Sequence, residues 1–376
     1  MRLFEDVIGF IAHPDAARFE GLALEVFRYQ LEVVPAYREF CAGLGVGADS
    51  VRTIDEIPAV STLAFKYSSL WAPDADQSPY ARLFMTSGTT IGRDRRGKHL
   101  VPLPEVYRAS AMGHLKTMLF PDRHRMRILA IHPTADILPE SSLSQMISWC
   151  IEEFGTKDSP VAADRSGVNP DAARDYLARA ERDRAPIGIL GTTAAFGALF
   201  SDLESCATRF KLAPGSRLMD TGGAKGQVEP LDALAVCEKA RNSFDIGAAF
   251  VINEYGMTEL CSQLYDATPL NSAEDDSPLE RVKIAPPWMV PSAVDPATLH
   301  PVRSGEIGLL RFFDLANVGS VSAILTEDLG IVNDRYVRVI GRARRAEPRG
   351  CALAIREFER AEARRTDQQS GSVQSE

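Results

Sequence analysis

The chain has 376 residues, of which 45% are hydrophobic and 25% are charged, and its formal net charge is -9. This length favours one large α/β unit or two domains over a single small domain. The acidic balance argues against a general nucleic-acid binder, which needs Lys and Arg to displace the counterions of phosphate groups. A local nucleotide-binding site is nevertheless compatible with an acidic net charge.

The N-terminus differs from a signal peptide, because Glu5 and Asp6 break its apolar run. No apolar stretch approaches the roughly 20 residues that cross a bilayer. The six cysteines are scattered and form no Cys-x-x-Cys pair, which indicates neither a zinc site nor a disulfide framework. We therefore expect a cytoplasmic protein with no membrane or nucleic-acid partner.

Helices and strands are predicted to alternate through the first 260 residues. Apolar residues recur at helical spacing over 17–34. The other predicted helices are 105–119, 141–155, 170–182, 192–205 and 230–243, and the predicted strands are 126–131, 186–190, 216–220 and 248–252. This alternation favours a largely parallel sheet with helices on its faces.

The sequence pattern changes after about residue 260. Short apolar runs are joined there by Pro, Gly, Asn and Asp turns, which predicts an antiparallel or barrel-like subdomain. The last residues are polar and poor in apolar side chains, which is typical of a disordered tail.

Two phosphate-site patterns overlap in residues 82–106, RLFMTSGTTIGRDRRGKHLVPLPEV. Gly97 and Lys98 complete a G-x-x-x-x-G-K pattern. A P-loop, however, requires Ser or Thr where His99 stands, and a helix that begins at the lysine. Two prolines follow instead, so we interpret this match as a coincidence of composition.

The second pattern is TSGTT, formed by Thr86, Ser87, Gly88, Thr89 and Thr90 after an apolar lead-in. Its hydroxyl groups and backbone amides are suited to an anion nest, and glycine permits backbone conformations that are closed to other residues. On this stretch alone, a Ser/Thr-rich surface turn is an equally good interpretation.

Two further motifs follow predicted strands. In NEYGMTEL, residues 253–260, the carboxylate of Glu259 could hold a magnesium ion that bridges phosphates, and Tyr255 could stack on a base. In MDTGGAKG, Gly222 and Gly223 would let the backbone lie flat against a ring.

Two more motifs lie near the end of the chain. In LTEDLG, Asp328 could accept hydrogen bonds from ribose hydroxyls, and in VIGRARR, Arg342 could make a second ribose or phosphate contact. Taken singly, Glu259 and Asp328 are more typical of solvated turn residues than of ligand-binding ones. The whole set of motifs, in this order, is stronger evidence for a nucleotide-binding site than any single motif.

In this order, TSGTTIG, TGGAKG, YGMTE, TED and GR resemble the motifs of the adenylate-forming superfamily, which contains acyl- and aryl-CoA synthetases, luciferases and peptide-synthetase adenylation domains. The segments PPWMVPSAVDPATLHPV, ILTEDLGIV and RGCAL are similar to the LuxE-like branch of acyl-protein synthetases. Short adenylating proteins of phenazine antibiotic (D-alanylgriseoluteic acid) biosynthesis are similar as well, which suggests an aryl acid as one possible substrate.

The resemblance implies the large adenylate-forming domain over residues 1–345, with an α/β part over 1–260 and a β-rich part over 261–345. A short remnant and tail, 346–376, would follow. Because so little chain follows Arg342, the family's C-terminal domain with its catalytic lysine is expected to be missing or vestigial. Loss of such a preorganised donor costs about 10²- to 10³-fold in rate. A catalytically weak nucleotide-binding scaffold that supports a partner reductase is therefore the alternative function.

The resemblance also implies the substrates and the residues that bind them. ATP with Mg²⁺ would activate a small aryl or acyl carboxylic acid as an acyl-adenylate. Thr258 would contact the α-phosphate, and Glu259 would hold the metal. The remaining implied nucleotide contacts are the 86–90 loop, Gly222, Gly223, Ala224, Tyr255, Gly256, Asp328 and Arg342.

Two further residues complete the candidate site. Cys351, in the GCAL-type segment, is implied by the resemblance as the thiol that accepts the acyl group before a reductase acts, although a buried inert thiol is the other interpretation. His132, after the predicted strand 126–131, could border the acid-binding pocket or could be a structural histidine.

Overall fold

The computed structural model describes residues 1–86, 96–222, 231–268 and 281–343. The chain divides into two compact units. The first unit contains residues 1–110, 258–262 and 285–376, and the second contains residues 111–257 and 263–284. The adenylate-forming domain expected over residues 1–345 stays a prediction.

The predicted helices lie close to their predicted positions, and two further helices, over residues 2–12 and 35–43, were not predicted. The hydroxyl of Ser141 accepts a hydrogen bond from the Ser144 amide and so caps the helix predicted over 141–155. Asn169 caps the next helix in the same way. These helices are α1 (Arg2–Ala12), α2 (Ala16–Val33), α3 (Pro35–Gly43), α4 (Pro104–Leu119), α5 (Ser142–Phe154), α6 (Pro170–Asp183), α7 (Thr193–Ser205) and α8 (Ala233–Phe244). None of them is both long enough and apolar enough to cross a membrane.

The strands of the described residues are short, apart from three near the end of the chain. They are β1 (Val60–Ser61), β2 (Arg82–Met85), β3 (Lys98–Val101), β4 (Arg127–Ala130), β5 (Ala163–Asp164), β6 (Gly167–Val168), β7 (Ile187–Thr192), β8 (Arg217–Thr221), β9 (Val251–Tyr255), β10 (Leu264–Asp266), β11 (Lys283–Ile284), β12 (Met289–Val294), β13 (Ile307–Asp314), β14 (Ala323–Asn333) and β15 (Tyr336–Arg342).

The second unit contains the predicted parallel sheet. Strands β4, β7, β8 and β9 are parallel neighbours in that order, and β10 and β11 continue the sheet antiparallel beyond β9. Helices α6, α7 and α8 bury their apolar sides in a core with the strands, which includes Ile189, Phe196, Leu218 and Phe244. The sheet therefore presents the carboxyl ends of four parallel strands along one edge, where ligands bind in open α/β sheets.

Strand β9 begins three residues later than predicted. Residues Ala248–Phe250 form a 3₁₀ turn, and pairing with β8 starts at Val251, which lies opposite Leu218. The shift makes Tyr255 the last residue of the strand, so the YGMTE motif begins where the strand ends.

The first unit contains an antiparallel meander of β12, β13, β14 and β15, with β1 parallel to β14. The barrel-like arrangement predicted for this part of the chain is wrong for the described residues, since β12 and β15 do not pair with each other. A tight turn with Asp334 at positive φ joins β14 to β15, and Gly305, also at positive φ, lies shortly before β13 begins. The antiparallel pairing itself is confirmed.

Candidate active site

In the second unit, two of the predicted nucleotide loops start at neighbouring strand ends. Gly222 follows β8 directly and has a φ of +89°, a conformation that favours glycine. Thr221 at the end of β8 lies opposite Glu254 in β9, so Gly222 lies level with Tyr255. Gly223 and Ala224, predicted to continue the first loop, lie outside the described residues.

One face of this sheet edge carries a buried network of charged and polar side chains. The Asp220 carboxylate accepts hydrogen bonds from the Thr193 hydroxyl at 2.7 Å and the Asn253 amide nitrogen at 3.0 Å. The Lys283 ammonium donates to Asn253 Oδ1 at 2.7 Å and to Asp266 at 2.8 Å. Because its members satisfy one another, the network fixes the ends of β8 and β9 relative to each other.

The opposite face of the edge carries Glu254, which is buried. The hydroxyl of Thr221 donates a hydrogen bond to its Oε2 atom, and burial raises the pKa of Glu254 to about 7. A Cβ atom on residue 256 would collide with Oε1 of Glu254. Gly256 is therefore required here for packing, a reason that the motif alone does not reveal.

His132 follows β4, the outermost parallel strand of the same unit. Its Nε2 atom lies 3.2 Å from the Ser144 hydroxyl, and burial lowers the pKa of His132 to about 4. The imidazole is therefore neutral at physiological pH, which suits it to hydrogen bonding rather than to pairing with a carboxylate by charge.

In the first unit, Thr86 closes the hairpin of β2 and β3. Its amide donates to the Gly97 carbonyl at 2.9 Å, and its hydroxyl accepts from the Gly97 amide at 2.8 Å. The Arg96 guanidinium donates to the Thr86 carbonyl at 2.5 Å. Ser87, Gly88, Thr89 and Thr90 lie outside the described residues.

The same hairpin excludes the P-loop interpretation. Lys98 begins strand β3, where a P-loop would require a helix to begin at the lysine. The hairpin instead joins the two ends of the 86–97 segment, which is the geometry expected of a loop that encloses an anion.

His99 anchors this hairpin on the YGMTE motif. Its Nδ1 atom lies 2.7 Å from the Thr258 carbonyl oxygen, which only accepts, so Nδ1 is assigned the proton. Burial lowers the pKa of His99 to about 4, and its ring packs edge-on against Phe65. Its Nε2 atom is buried and has no hydrogen-bond partner among the described residues. In the sequence, His99 is recognisable only as a mismatch to the P-loop pattern.

A second anchor holds the residues that follow Thr258. The Asn317 amide nitrogen donates to the Glu259 carbonyl oxygen at 2.8 Å, and its Oδ1 accepts from the Cys261 amide at 2.8 Å. The Asp314 carboxylate accepts from the same amide at 3.1 Å and from the Ser262 hydroxyl at 2.6 Å. Burial raises the pKa of Asp314 to about 6. Backbone groups on both sides of Glu259 are thus fixed, and its side chain is 7% exposed.

Asp328 and Arg342 lie opposite each other in β14 and β15. The Arg342 Nε atom is 3.8 Å from Asp328 Oδ1, and its NH1 atom is 3.9 Å from Glu327 Oε2. The side chain of Asp328 is 20% exposed and that of Arg342 is 45% exposed, so both are accessible to a ligand. The structure therefore brings together the two residues that were predicted to contact one ribose.

The cysteines differ in their suitability as acyl acceptors. Cys351, the implied acceptor, lies outside the described residues. Burial raises the pKa of Cys41 to about 12 and raises the pKa values of Cys150 and Cys261 further, so these thiols do not ionise readily. Among the described cysteines, only Cys206 is exposed.

The described residues contain no group of three or more His, Cys, Asp and Glu side chains arranged to hold a metal ion. Magnesium that accompanies a nucleotide binds through one or two carboxylates together with phosphate oxygens and water. A single anchored carboxylate such as Glu259 fits that mode of binding.

The fold is that of adenylate-forming ligases. It is similar to the crystal structure of an open conformation of 2-hydroxyisobutyryl-CoA ligase in complex with 2-HIB-AMP and CoA, with a TM-score of 0.60 and 16% identity over 88% of this chain and 76% of that chain. The thioesterification state of that ligase gives a TM-score of 0.61 over 88% of this chain and 69% of that chain.

The chain belongs to the LuxE family of acyl-protein synthetases, whose family model matches residues 15–358. It is 25% identical to the long-chain-fatty-acid–luciferin-component ligase of Aliivibrio fischeri over 372 residues, 93% of each chain. It is 22% identical to the protein of the same name from Vibrio harveyi, covering 88% of this chain and 85% of that protein. The predicted family is confirmed, and the link to phenazine biosynthesis stays a prediction.

Proposed function

We propose that the protein activates a carboxylic acid with ATP as an acyl-adenylate and then transfers the acyl group to a thiol. Membership of the acyl-protein synthetase family supports this reaction class. The observation that carries the proposal is the double anchoring of the YGMTE motif, in which His99 fixes the Thr258 carbonyl and Asn317 fixes the Glu259 carbonyl. Such anchoring is expected where a side chain must meet a developing charge without reorganisation.

In this proposal each motif has one role toward the nucleotide. The 86–90 loop holds the β- and γ-phosphates, and Thr258 contacts the α-phosphate. Asp328 accepts hydrogen bonds from the ribose hydroxyls, and Arg342 supports them. The adenine is framed by Gly222, Gly223, Ala224, Tyr255 and Gly256.

The chemistry then requires mainly positioning and charge neutralisation. A carboxylate oxygen of the acid attacks the α-phosphorus in line, the bond to the β-phosphate oxygen breaks, and pyrophosphate leaves. Mg²⁺, held by Glu259, would neutralise phosphate charge when bound. In the second step a thiolate attacks the acyl carbonyl, and AMP leaves with the electron pair of the carbon–oxygen bond.

We propose Cys351 as the thiol that accepts the acyl group. Support comes from the GCAL-type segment and from the raised pKa values of Cys41, Cys150 and Cys261, which make them poor nucleophiles. A hydroxylamine-labile mass increase on the wild type and on Cys206→Ser, absent from Cys351→Ser, is the expected result. An adduct that persists on Cys351→Ser would contradict this assignment. Acyl transfer only to added coenzyme A, to an amine or to a partner reductase would contradict it too.

The reaction itself is tested by exchange of labelled pyrophosphate into ATP in the presence of single acids. A panel of aliphatic acids, benzoic acids and phenazine carboxylic acids covers both the substrate class in the relatives' names and the aryl acids predicted from sequence. We expect exchange that depends on the acid. Tight ATP binding without exchange for any acid would overturn the proposal and favour a nucleotide-binding scaffold that supports a partner reductase.

A further inference from the structure

A cluster of polar side chains lies at the carboxyl end of β8 and β9, on the face opposite the Asp220 network. We call Thr221, Glu254, Gly256 and Gln263 the Glu254 cluster. Thr221 and Glu254 lie level in parallel strands. Tyr255 pairs with Leu264 in antiparallel β10, which places Gln263 level with Gly256. Residues level with each other on neighbouring strands share a face, and alternate residues share it too, so these side chains point to one side.

The cluster converges on Gly256. A Cβ atom on residue 256 would lie 3.2 Å from Cγ of Gln263 and would collide with Oε1 of Glu254. Glycine therefore leaves room for the two longer side chains to approach each other. Glu254 and Gln263 are each only 4% exposed, while Gly256 and Tyr255 are half-buried and connect the cluster to the outside.

The hydrogen bonding of the cluster is incomplete. Thr221 donates to Oε2 of Glu254, but Oε1 of Gln263 is buried and has no hydrogen-bond partner among the described residues. A buried acceptor without a donor destabilises the protein unless a ligand supplies the donor. Lys283 and Arg281 do not fill this gap, because they pair with Asp266 and Asp220 on the opposite face.

Within the cluster, Glu254 and Gln263 are separated from the proposed stacking of the adenine on Tyr255. Tyr255 lies on the opposite face of β9 from Glu254, because successive residues of a strand alternate between faces. A ligand group that reaches Glu254 and Gln263 is therefore a group other than the base that stacks on Tyr255. In an acid-activating enzyme the second ligand is the carboxylic acid.

We propose that Glu254 and Gln263 recognise a hydrogen-bond donor, a hydroxyl or amino group, carried by the carboxylic acid substrate. This inference rests on the proposed function and narrows its substrate class to polar-substituted acids. Glutamine Oε1 only accepts hydrogen bonds, and the carboxyl group of Glu254 has an acceptor oxygen in either protonation state. A plain alkyl chain would leave both groups unpaired, and sites of this kind discriminate strongly against analogues that lack the donor.

The test compares matched acids in the pyrophosphate exchange reaction: benzoate with hydroxy- and aminobenzoates, and octanoate with hydroxyoctanoates. At least one substituted acid is expected to exceed its parent in kcat/KM by about 100-fold or more. In Gln263→Met, which keeps the side-chain volume but removes the acceptor, this ratio should fall by at least about tenfold. Glu254→Gln keeps an acceptor oxygen and should retain most of the preference, and exposed Gln77→Met should leave the ratio unchanged.

A merely structural role for Gln263 would lower kcat/KM for parent and substituted acids equally, and that result would overturn the inference. Equal use of parent and substituted acids by the wild type would overturn it too. If Gln263→Met fails to fold, the wild-type preference and its retention in Glu254→Gln still decide the question. Absence of exchange with every acid would overturn the proposed function itself, and this inference with it.

Discussion

The Nδ1 atom of His99 lies 2.7 Å from the carbonyl oxygen of Thr258, although 159 positions separate the two residues in the chain. This bond joins the hairpin of β2 and β3, which Thr86 closes, to Thr258 of the YGMTE motif. His99 and Thr258 both belong to the first unit.

Replacing His99 by Gln should weaken nucleotide binding more than it weakens the fold. Glutamine carries its amide nitrogen farther from the backbone than the Nδ1 atom of histidine, and losing the bond to the Thr258 carbonyl costs about 1–3 kcal/mol of unfolding free energy. The loosened motif should raise the KM for ATP by about tenfold, since RT ln 10 is about 1.4 kcal/mol. Chemical denaturation and exchange kinetics measure both quantities. His124→Gln is the matched control because His124 is exposed, and an unchanged KM in His99→Gln would refute the coupling.

Asn317→Asp should damage both stability and activity. The substitution keeps the shape but removes the amide nitrogen that donates to the Glu259 carbonyl at 2.8 Å and the Val321 carbonyl at 3.0 Å. It also adds a buried charge beside Asp314, so we expect a loss of about 3 kcal/mol or more. The exposed Asn333, whose Oδ1 atom accepts a hydrogen bond from the Ser304 hydroxyl, provides the control Asn333→Asp. Wild-type stability and exchange in Asn317→Asp would show that the anchor is dispensable.

The buried carboxyl group of Glu254 should make stability depend on pH. Its pKa is raised by burial from the model-compound value of 4.5 to about 7 in the folded protein. The folded state therefore holds this proton more tightly than the unfolded state, and stability is lost as pH rises from about 4.5 through 7. The wild type should lose about 3 kcal/mol relative to Glu254→Gln across this range.

The comparison with Glu254→Gln is necessary because two histidines act in the opposite direction. Burial lowers the pKa of His99 and His132 to about 4, so each contributes stability that is lost as pH falls below about 6.5. These contributions cancel in the difference between wild type and variant. A difference in unfolding free energy that stays constant from pH 4.5 to 8 would contradict the assigned pKa of Glu254.

Arg342→Gln should affect ATP binding with little effect on stability. Its side chain is 45% exposed, its Nε atom lies 3.8 Å from Asp328 Oδ1, and exposed ion pairs contribute only about 0–1 kcal/mol. If Arg342 supports the ribose contact, the KM for ATP should rise severalfold while the thermal midpoint barely moves. Arg338→Gln, on the same strand, serves as the control. Equal effects of the two substitutions on KM would argue against a role for Arg342.

Local signals in the sequence predicted much of the fold. Helix α5 was predictable because Ser141 and Gly155 mark its ends and its apolar spacing is helical. The positions of Gly222 and Tyr255 at strand ends followed from the apolar runs that precede them. The barrel-like prediction failed because strand pairing in the β-rich part depends on long-range register that turn residues alone do not encode.

The residues that anchor the site were harder to predict. Asn317 binds the carbonyl of a residue 58 positions away, and Gln263 meets Gly256 only because β9 and β10 pair antiparallel. The type of such a residue says nothing about its partner. Glu254 is the exception. The sequence NEYGMTEL places a carboxylate next to the last residue of a predicted buried strand, and that position could have indicated a functional side chain.

The most direct test of the account is pyrophosphate exchange by Glu259→Ala, with Glu20→Ala as a control because Glu20 is exposed on helix α2. If Glu259 holds the magnesium that neutralises the phosphates, exchange in Glu259→Ala should fall by about 100-fold or more, while Glu20→Ala matches the wild type. Exchange in a folded Glu259→Ala at the wild-type rate would contradict the proposed adenylation site.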